Sequence, residues 1–329
     1  MTPIVIDSGY LGDHLAACFL LEHGGQHALI EASTQAAVPA ILRALEARGI
    51  ELPTIRYLIV THAHLDHAGG LHALARLAPH AIVVSHPAAL QHLTYPKVLI
   101  AGTRTVFGPQ RFDAYFHGVK PLEGSAMHGV LDGEELELGG QPLAFTYARG
   151  HANHHICVVD RARSAVFTGD AFGACYPFMR RGARFVVLPL TPPMDFDVVQ
   201  ALEAVEQIRA LGCRTAYLTH YGALDDIDQA AAQLAARLLE IKAILDELVV
   251  AGPAEAAPER RCLERLRGHA RDAFTAHGVP LSPGEWDIVD RDLKINAAGI
   301  VHSLRTYRKR FANALAGGAG AAASPERPS

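Results

Sequence analysis

The chain has 329 residues, half of them hydrophobic and 19% charged, a balance that supports one large core or two smaller ones. Its formal charge of −4 is spread along the sequence, which argues against a basic nucleic-acid footprint. No run reaches the ~18 apolar residues of a bilayer span. MTPIVIDSGY lacks the basic start and apolar run of a signal peptide, and five scattered cysteines without a C-x-x-C pair point to a reducing cytoplasm.

In chain order, 17–22 and 26–31 read as strands about a Gly24-Gly25 turn. Val38, Ile41, Leu42 and Leu45 form a helical stripe that Gly49 stops. Apolar strands are predicted at 57–61 and 81–84, with a short helix through Leu71, Leu74 and Leu77 between them. Residues 86–130 mix aromatics, prolines and glycines without a clean period, and a segment this long is expected to be a lid insertion. Strands follow at 143–147, 156–160, 165–168 and 215–219. A helix through Val198, Leu202, Val205 and Ile208 is predicted to start at Asp195 as its cap and to end before Gly212. The last third reads as helices over 230–250, 258–276 and 286–315. The predicted organisation is a catalytic domain over 1–225, a helical extension over 226–316 packed on it through Ile241, Leu245 and Leu248, and a disordered tail over 317–329.

Nineteen histidines are many for this length, and their spacing gives them meaning. The densest group is Thr61-His62-Ala63-His64-Leu65-Asp66-His67-Ala68-Gly69-Gly70, directly after an apolar strand. In extended chain, residues i and i+2 project to one side, so His62 and His64 can share a metal ion. Asp66 and His67 come as the chain turns into a helix, where they can face a second ion. An isolated histidine such as His72 or His277 reads as an ordinary surface residue.

This H-x-H-x-D-H motif resembles the signature of the metallo-β-lactamase superfamily. Further segments resemble that superfamily in order: Gly150-His151 with His155 four residues on, Phe167-Thr168-Gly169-Asp170, and Leu218-Thr219-His220-Tyr221-Gly222. The resemblance covers about residues 1–225 and implies a four-layer αβ/βα sandwich with a C-terminal helical extension. It also implies two divalent ions: His62, His64 and His151 would hold one, Asp66, His67 and His220 the other, and Asp170 would bridge them. Imidazole and carboxylate donors favour Zn²⁺ and also suit Fe or Mn. Asp66 and Asp170 carry the catalytic roles in this reading, orienting a metal-activated hydroxide that attacks an acyl carbon and accepting its proton.

The full donor set resembles glyoxalase II, lactonases and their relatives. Gly102-Thr103-Arg104-Thr105-Val106-Phe107-Gly108 and Asn296-Ala297-Ala298-Gly299-Ile300-Val301-His302 are similar to a bacterial and archaeal glyoxalase-II-like subgroup. The expected activity is hydrolysis of a small-molecule thioester, lactone or ester. No nucleic acid or membrane partner is expected, and a homo-oligomer is compatible with the sequence. The alternatives are a persulfide-dioxygenase-like oxidoreductase with one iron, a phosphodiesterase, and a binding module on a retired enzyme fold. Tyr176 and Tyr221 are candidate substrate contacts, with packing as their plainer reading. His154 and His155 read as orienting or packing residues, and Arg305, Arg308 and Lys309 as a solvated face that could also meet an acidic substrate.

Overall fold

A computed structural model describes residues 2–252 and 257–320. The first half of the chain builds a six-stranded sheet from β1 (Ile4–Asp7), β2 (Ala17–His23), β3 (Gln26–Ile30), β4 (Ile55–Ile59), β5 (Ile82–Ser85) and β6 (Met127–Gly129), in sequence order. β1 to β3 are antiparallel, and β3 to β6 are parallel. Its crossovers carry α1 (Val38–Glu46), α2 (Leu65–Ala68), α3 (Leu71–Leu77), α4 (Pro87–Thr94) and α5 (Lys97–Tyr115). A second six-stranded sheet follows from β7 (Glu135–Leu138), β8 (Gln141–Tyr147), β9 (Ile156–Asp160) and β10 (Ala165–Gly169). A small hairpin of β11 (Arg180–Arg181) and β12 (Arg184–Phe185) intervenes. After α6 (Val198–Ala210), β13 (Thr215–Leu218) and β14 (Gly222–Leu224) complete the sheet in the order β14-β13-β10-β9-β8-β7.

Alternation along single strands explains the layering. In β2, Ala17, Phe19 and Leu21 face the second sheet and pack with Phe145, Val158 and Phe167. Cys18 and Leu20 face the other way, against Ile41 of α1 and Leu71 and Leu74 of α3. β9 and β10 divide likewise: Val158 and Phe167 turn to the first sheet, and Val159 and Val166 turn to Val205 and Ile208 of α6. Both faces of both sheets are therefore apolar and covered, which is the condition for a helix–sheet–sheet–helix sandwich.

The remaining helices, α7 (Ile227–Ala251), α8 (Pro258–Ala276) and α9 (Pro283–Gly320), bury one stripe each in the α6-side core. Ile241, Leu245 and Leu248 of α7, Leu266 and Phe274 of α8, and Val289, Leu293 and Ile300 of α9 belong to that single cluster.

Three expectations need correction. Residues 86–130, expected to lack a clean period, are largely helical: α4 and α5 fill most of the segment, and α5 hides its period because it breaks at Gly108 (φ +76°) before Pro109. The cap of α6 is Asp197, not Asp195, because Asp197 Oδ1 accepts from the backbone N–H groups of Val199 and Gln200, each at 3.1 Å. Helix α9 runs through residues 317–320, the start of the expected disordered tail; 321–329 lie outside the described residues.

Candidate metal centre

The parallel strand β4 ends at Ile59, and the chain then runs along the sheet edge through Thr61, His62 and His64 into the short helix α2. His62 Nε2 lies 2.8 Å from His64 Nδ1, and His64 Nδ1 lies 3.1 Å from His151 Nε2. Three ring nitrogens this close have more lone pairs than protons to share. A tetrahedral ion with M–N bonds of about 2.1 Å would hold such nitrogens roughly 3.4 Å apart, so the cluster matches one cation with little adjustment.

Four of the imidazoles are turned inward by what their other nitrogen does. His62 Nδ1 donates to Thr61 Oγ1 at 3.0 Å, and Thr61 passes its own hydrogen to Glu31 Oε1 at 2.6 Å. His67 Nδ1 donates to Glu31 Oε1 at 3.1 Å, His151 Nδ1 to the Leu190 carbonyl at 3.0 Å, and His220 Nδ1 to the Leu15 carbonyl at 2.7 Å. Each Nδ1 acceptor fixes the tautomer and leaves Nε2 with a free lone pair aimed into the site.

Asp170 follows β10, at a turn that only glycine fits. Gly169 has φ +49°, and a Cβ there would lie 2.5 Å from Thr61 Oγ1 and 2.6 Å from His155 Nε2. Asp170 Oδ1 faces His67 Nε2 at 3.2 Å and His220 Nε2 at 3.6 Å, while Oδ2 faces His151 Nε2 at 3.3 Å. Asp66 Oδ2 stands 3.7 Å from His220 Nε2. Three donor groups result: His62, His64 and His151; Asp66, His67 and His220; and His62, His67 and Asp170, each with its ligand atoms within 4.8 Å of one another. The seven predicted ligands thus lie together, and His67 Nε2 and Asp170 Oδ1 are buried with no partner but each other. Spare lone pairs in a buried cluster fit divalent cations.

The electrostatics point the same way. Burial, reinforced by neighbouring imidazoles, pulls His62 and His64 well below the usual imidazole range, and burial lowers His151 against the pull of Asp170. These rings are neutral at pH 7 and can donate a lone pair. Burial alone would raise Asp170, but His67, His220 and His151 more than offset it and keep the carboxyl well below its ordinary value. Burial works against charge on His67, yet Asp170, Glu31 and Asp66 together raise it well above the imidazole norm. The carboxylates thus favour positive charge at His67, which a cation on its Nε2 would supply.

Among the residues that sequence reasoning passes over, Glu31 is central. It is 1% exposed, has φ +68°, and its carboxylate accepts from Thr61, His67 and, at 3.2 Å, the Thr219 hydroxyl. A left-handed non-glycine residue costs roughly 1–2 kcal/mol, which these bonds offset. The available signal is an acidic residue ending the apolar run Ala28-Leu29-Ile30 at the sheet edge that also carries His62. His155 is buried against His62 with ring centroids 4.8 Å apart, and its Nε2 accepts from the Asp170 backbone N–H at 3.2 Å.

A cavity of about 250 Å³ opens over the donors, with His64, Asp66, His151, Asp170 and His220 on its floor. Tyr176 lines it, and its hydroxyl donates to Asp292 Oδ2 at 2.7 Å. Tyr221 does not line it, contrary to expectation; its hydroxyl meets His14 Nδ1 at 3.0 Å. Arg305, Arg308 and Lys309 do not reach the cavity either, and Arg308 Nη2 donates to the Leu248 carbonyl. The cation that α9 does bring is Arg291, 14 residues or about 21 Å earlier along the helix.

Comparison with known proteins agrees with this geometry. The family model for the metallo-beta-lactamase superfamily matches residues 11–220, and the chain belongs to that superfamily. In sequence it is 29% identical over 174 residues to the metallo-beta-lactamase fold-containing protein ST1585 of Sulfurisphaera tokodaii, covering 52% of this chain and 62% of that one. It is 31% identical over 114 residues to the acyl-coenzyme A thioesterase MBLAC2 of Gallus gallus, covering 34% and 40%. It is 22% identical over 175 residues to an atrochrysone carboxyl ACP thioesterase of Aspergillus fumigatus, covering 53% and 41%. The chain thus spans about two-fifths to three-fifths of these relatives' lengths. The crystal structure of ST1585 has the same fold (TM-score 0.65, 21% identity, 92% of this chain and 98% of that chain). So does the metallo-beta-lactamase family protein TTHA1429 from Thermus thermophilus (TM-score 0.62, 20% identity, 93% of each).

Proposed function

We propose that this chain is a dinuclear metal-dependent hydrolase that cleaves the acyl bond of a small-molecule thioester, lactone or ester, in the manner of the glyoxalase-II-like enzymes. The observation that carries this reading is Asp170, whose Oδ1 turns to His67 and His220 while its Oδ2 turns to His151. A carboxylate placed between two donor groups in this way is suited to hold two cations side by side. The thioesterase activities named for two of the relatives support acyl transfer to water as the chemistry.

In this reading His62, His64 and His151 hold one ion, Asp66, His67 and His220 hold the other, and Asp170 is shared. Two bound divalent ions, Zn²⁺ by preference, supply an ionised water at neutral pH and a Lewis acid for the acyl oxygen. Asp66 is the partly exposed carboxylate on the cavity floor. It orients the attacking water, accepts its proton and returns it to the leaving group as the tetrahedral intermediate collapses. Glu31 and the Leu15 and Leu190 carbonyls keep the imidazoles in one tautomer throughout. Helix α5 acts as a wall or lid over the reacting groups, a role that limited proteolysis with and without a substrate analogue would test. The five cysteines are all free, which supports a cytoplasmic setting.

Metal quantification on native protein, run beside a panel of thioesters, lactones and phosphodiesters, tests the reading. Two ions per chain with chelator-sensitive acyl hydrolysis are expected. Oxygen uptake with a persulfide, tracking a single iron per chain, would replace it with an oxidoreductase using the same donors.

A further inference from the structure

Both segments noted for their sequence reach the cavity above the donors, 102–108 through Gly102, Thr103, Val106 and Phe107 and 296–302 through Asn296. We propose that they form the opposite walls of a cleft for an apolar acyl chain, and that Gly102 sets how much of that chain the cleft admits. The proposal rests on the hydrolytic reading and narrows its substrate class.

Helix α5 turns one continuous face to the cavity: Val98, Leu99, Gly102, Thr103, Val106 and Phe107. Their spacing of i, i+1, i+4, i+5, i+8 and i+9 is that of a single helical side. Glycine is a poor choice inside a helix, so its presence on this face needs a reason. Gly102 is not one of the left-handed glycines, and a Cβ built on it would meet no atom within 4 Å. Neither backbone conformation nor close packing excludes a side chain there. What glycine provides at 102 is empty space on the cavity side of α5.

The contrast with the other segment is informative. A Cβ on Gly299 would lie 1.9 Å from the Thr191 carbonyl oxygen, so that glycine exists to let α9 touch the loop before α6. Asn296, one turn earlier, clamps the same loop: its Oδ1 accepts from the Thr191 N–H at 2.8 Å and its Nδ2 donates to the Pro189 carbonyl at 2.9 Å. This wall is held rigid, with Ile295 beside it on the cavity, while the α5 wall has room to spare.

The lining chemistry selects the occupant. Val98 and Met194 stand at the cavity 70% and 60% exposed, and large apolar side chains left in water beside a reactive floor call for an apolar ligand. Arg291 is the one lysine or arginine among the described lining residues, and its Nε already donates to Asp292 Oδ1 at 3.2 Å. A polyanionic substrate would find little to pair with, whereas a hydrocarbon chain reaching from an acyl carbon on the floor would be covered on both sides.

The test is a series of acyl thioesters from acetyl to decanoyl, assayed on metal-replete wild type, Gly102→Ala and Gly102→Phe. Calorimetric titration with the matching alkyl ketones, in which a methylene replaces the thioester sulfur, provides a readout that needs no turnover. For wild type, kcat/KM and ketone affinity should rise by about fourfold per methylene until the cleft is full. Ketone binding should carry a negative heat-capacity change. Gly102→Phe should lower the decanoyl-to-acetyl ratio of kcat/KM, and the corresponding ratio of ketone affinities, by about tenfold or more. Gly102→Ala should fall between, and metal content should match wild type in both variants. Turnover that is flat in chain length, or ratios that neither substitution moves, would overturn the cleft. Absence of acyl hydrolysis by metal-replete wild type would overturn the hydrolytic reading instead, and the ketone titrations would still decide the cleft.

Discussion

His67 donates from Nδ1 to Glu31, over 3.1 Å, in a contact where neither side chain has any exposure to water. The same carboxylate accepts the Thr61 hydroxyl that orients His62. One buried charge therefore fixes a histidine in each of the two main donor groups. Glu31→Gln keeps the volume and removes the charge. Metal affinity should fall by about 10–100-fold, read by competition with a chromogenic chelator. Affinity within about twofold of wild type would show that Glu31 does not orient the ligands.

Asp170→Asn preserves shape and removes the charge that faces His67, His220 and His151. Like-charged cations cannot stay side by side without it. Bound metal should drop from two ions per chain toward one, and acyl hydrolysis should fall by orders of magnitude. Unchanged stoichiometry and turnover would remove Asp170 as the bridge.

Asn296→Ala should weaken both the fold and the donor group at the His151 end. It strips partners from the buried Thr191 N–H and the Pro189 carbonyl, and an unsatisfied buried group costs about 1–3 kcal/mol. A loss of about 2–5 kcal/mol in denaturant unfolding is expected. Pro189 and Thr191 flank Leu190, whose carbonyl holds His151, so the loosened loop should also weaken binding of one ion before the other. A variant as stable as wild type would contradict this clamp.

Stability should fall with acid in a way that His154 makes measurable. Burial lowers His154 to about 4, and Asp195 only partly opposes that effect. Below ~6.5 the unfolded chain takes up a proton that the folded chain refuses, so stability declines as pH falls from about 6.5 toward about 4. His67, raised rather than lowered, contributes its change only above that window. In chelator, wild type should lose about 2 kcal/mol more than His154→Gln between about pH 7 and pH 5. Equal losses would mean that His154 titrates normally in the folded state.

Most of the strand and helix framework is legible because alternation in β2, β9 and β10 and the stripe of α1 are strong signals. The candidate donors are legible because four imidazoles and carboxylates within six residues at a strand end have little other use. What escapes notice depends on atoms remote in sequence. Backbone carbonyls such as those of Leu15 and Leu190 carry no side-chain signature, and Glu31 acts on residues about 30 and 188 positions away. Helix α5 reads as irregular because Gly102 and Thr103 interrupt its apolar stripe and Gly108 breaks its axis. Only its place beside His220 draws Tyr221 toward the substrate, but the two residues sit in a turn and the Tyr221 hydroxyl meets His14 Nδ1 outside the cavity.

The donors are divided unequally along the chain: four lie between 62 and 67, and three are scattered at 151, 170 and 220. A nascent or unfolded polypeptide already carries the local four, so it can capture a cation loosely before the second sheet exists. Binding to the unfolded chain subtracts from the stabilisation that a native-only ligand would give. Completion of the site waits for contacts spanning up to 158 residues, from His62 to His220, the slow part of folding for such a topology. An ion taken up early by 62–67 would thus be a passenger until His151, Asp170 and His220 close around it.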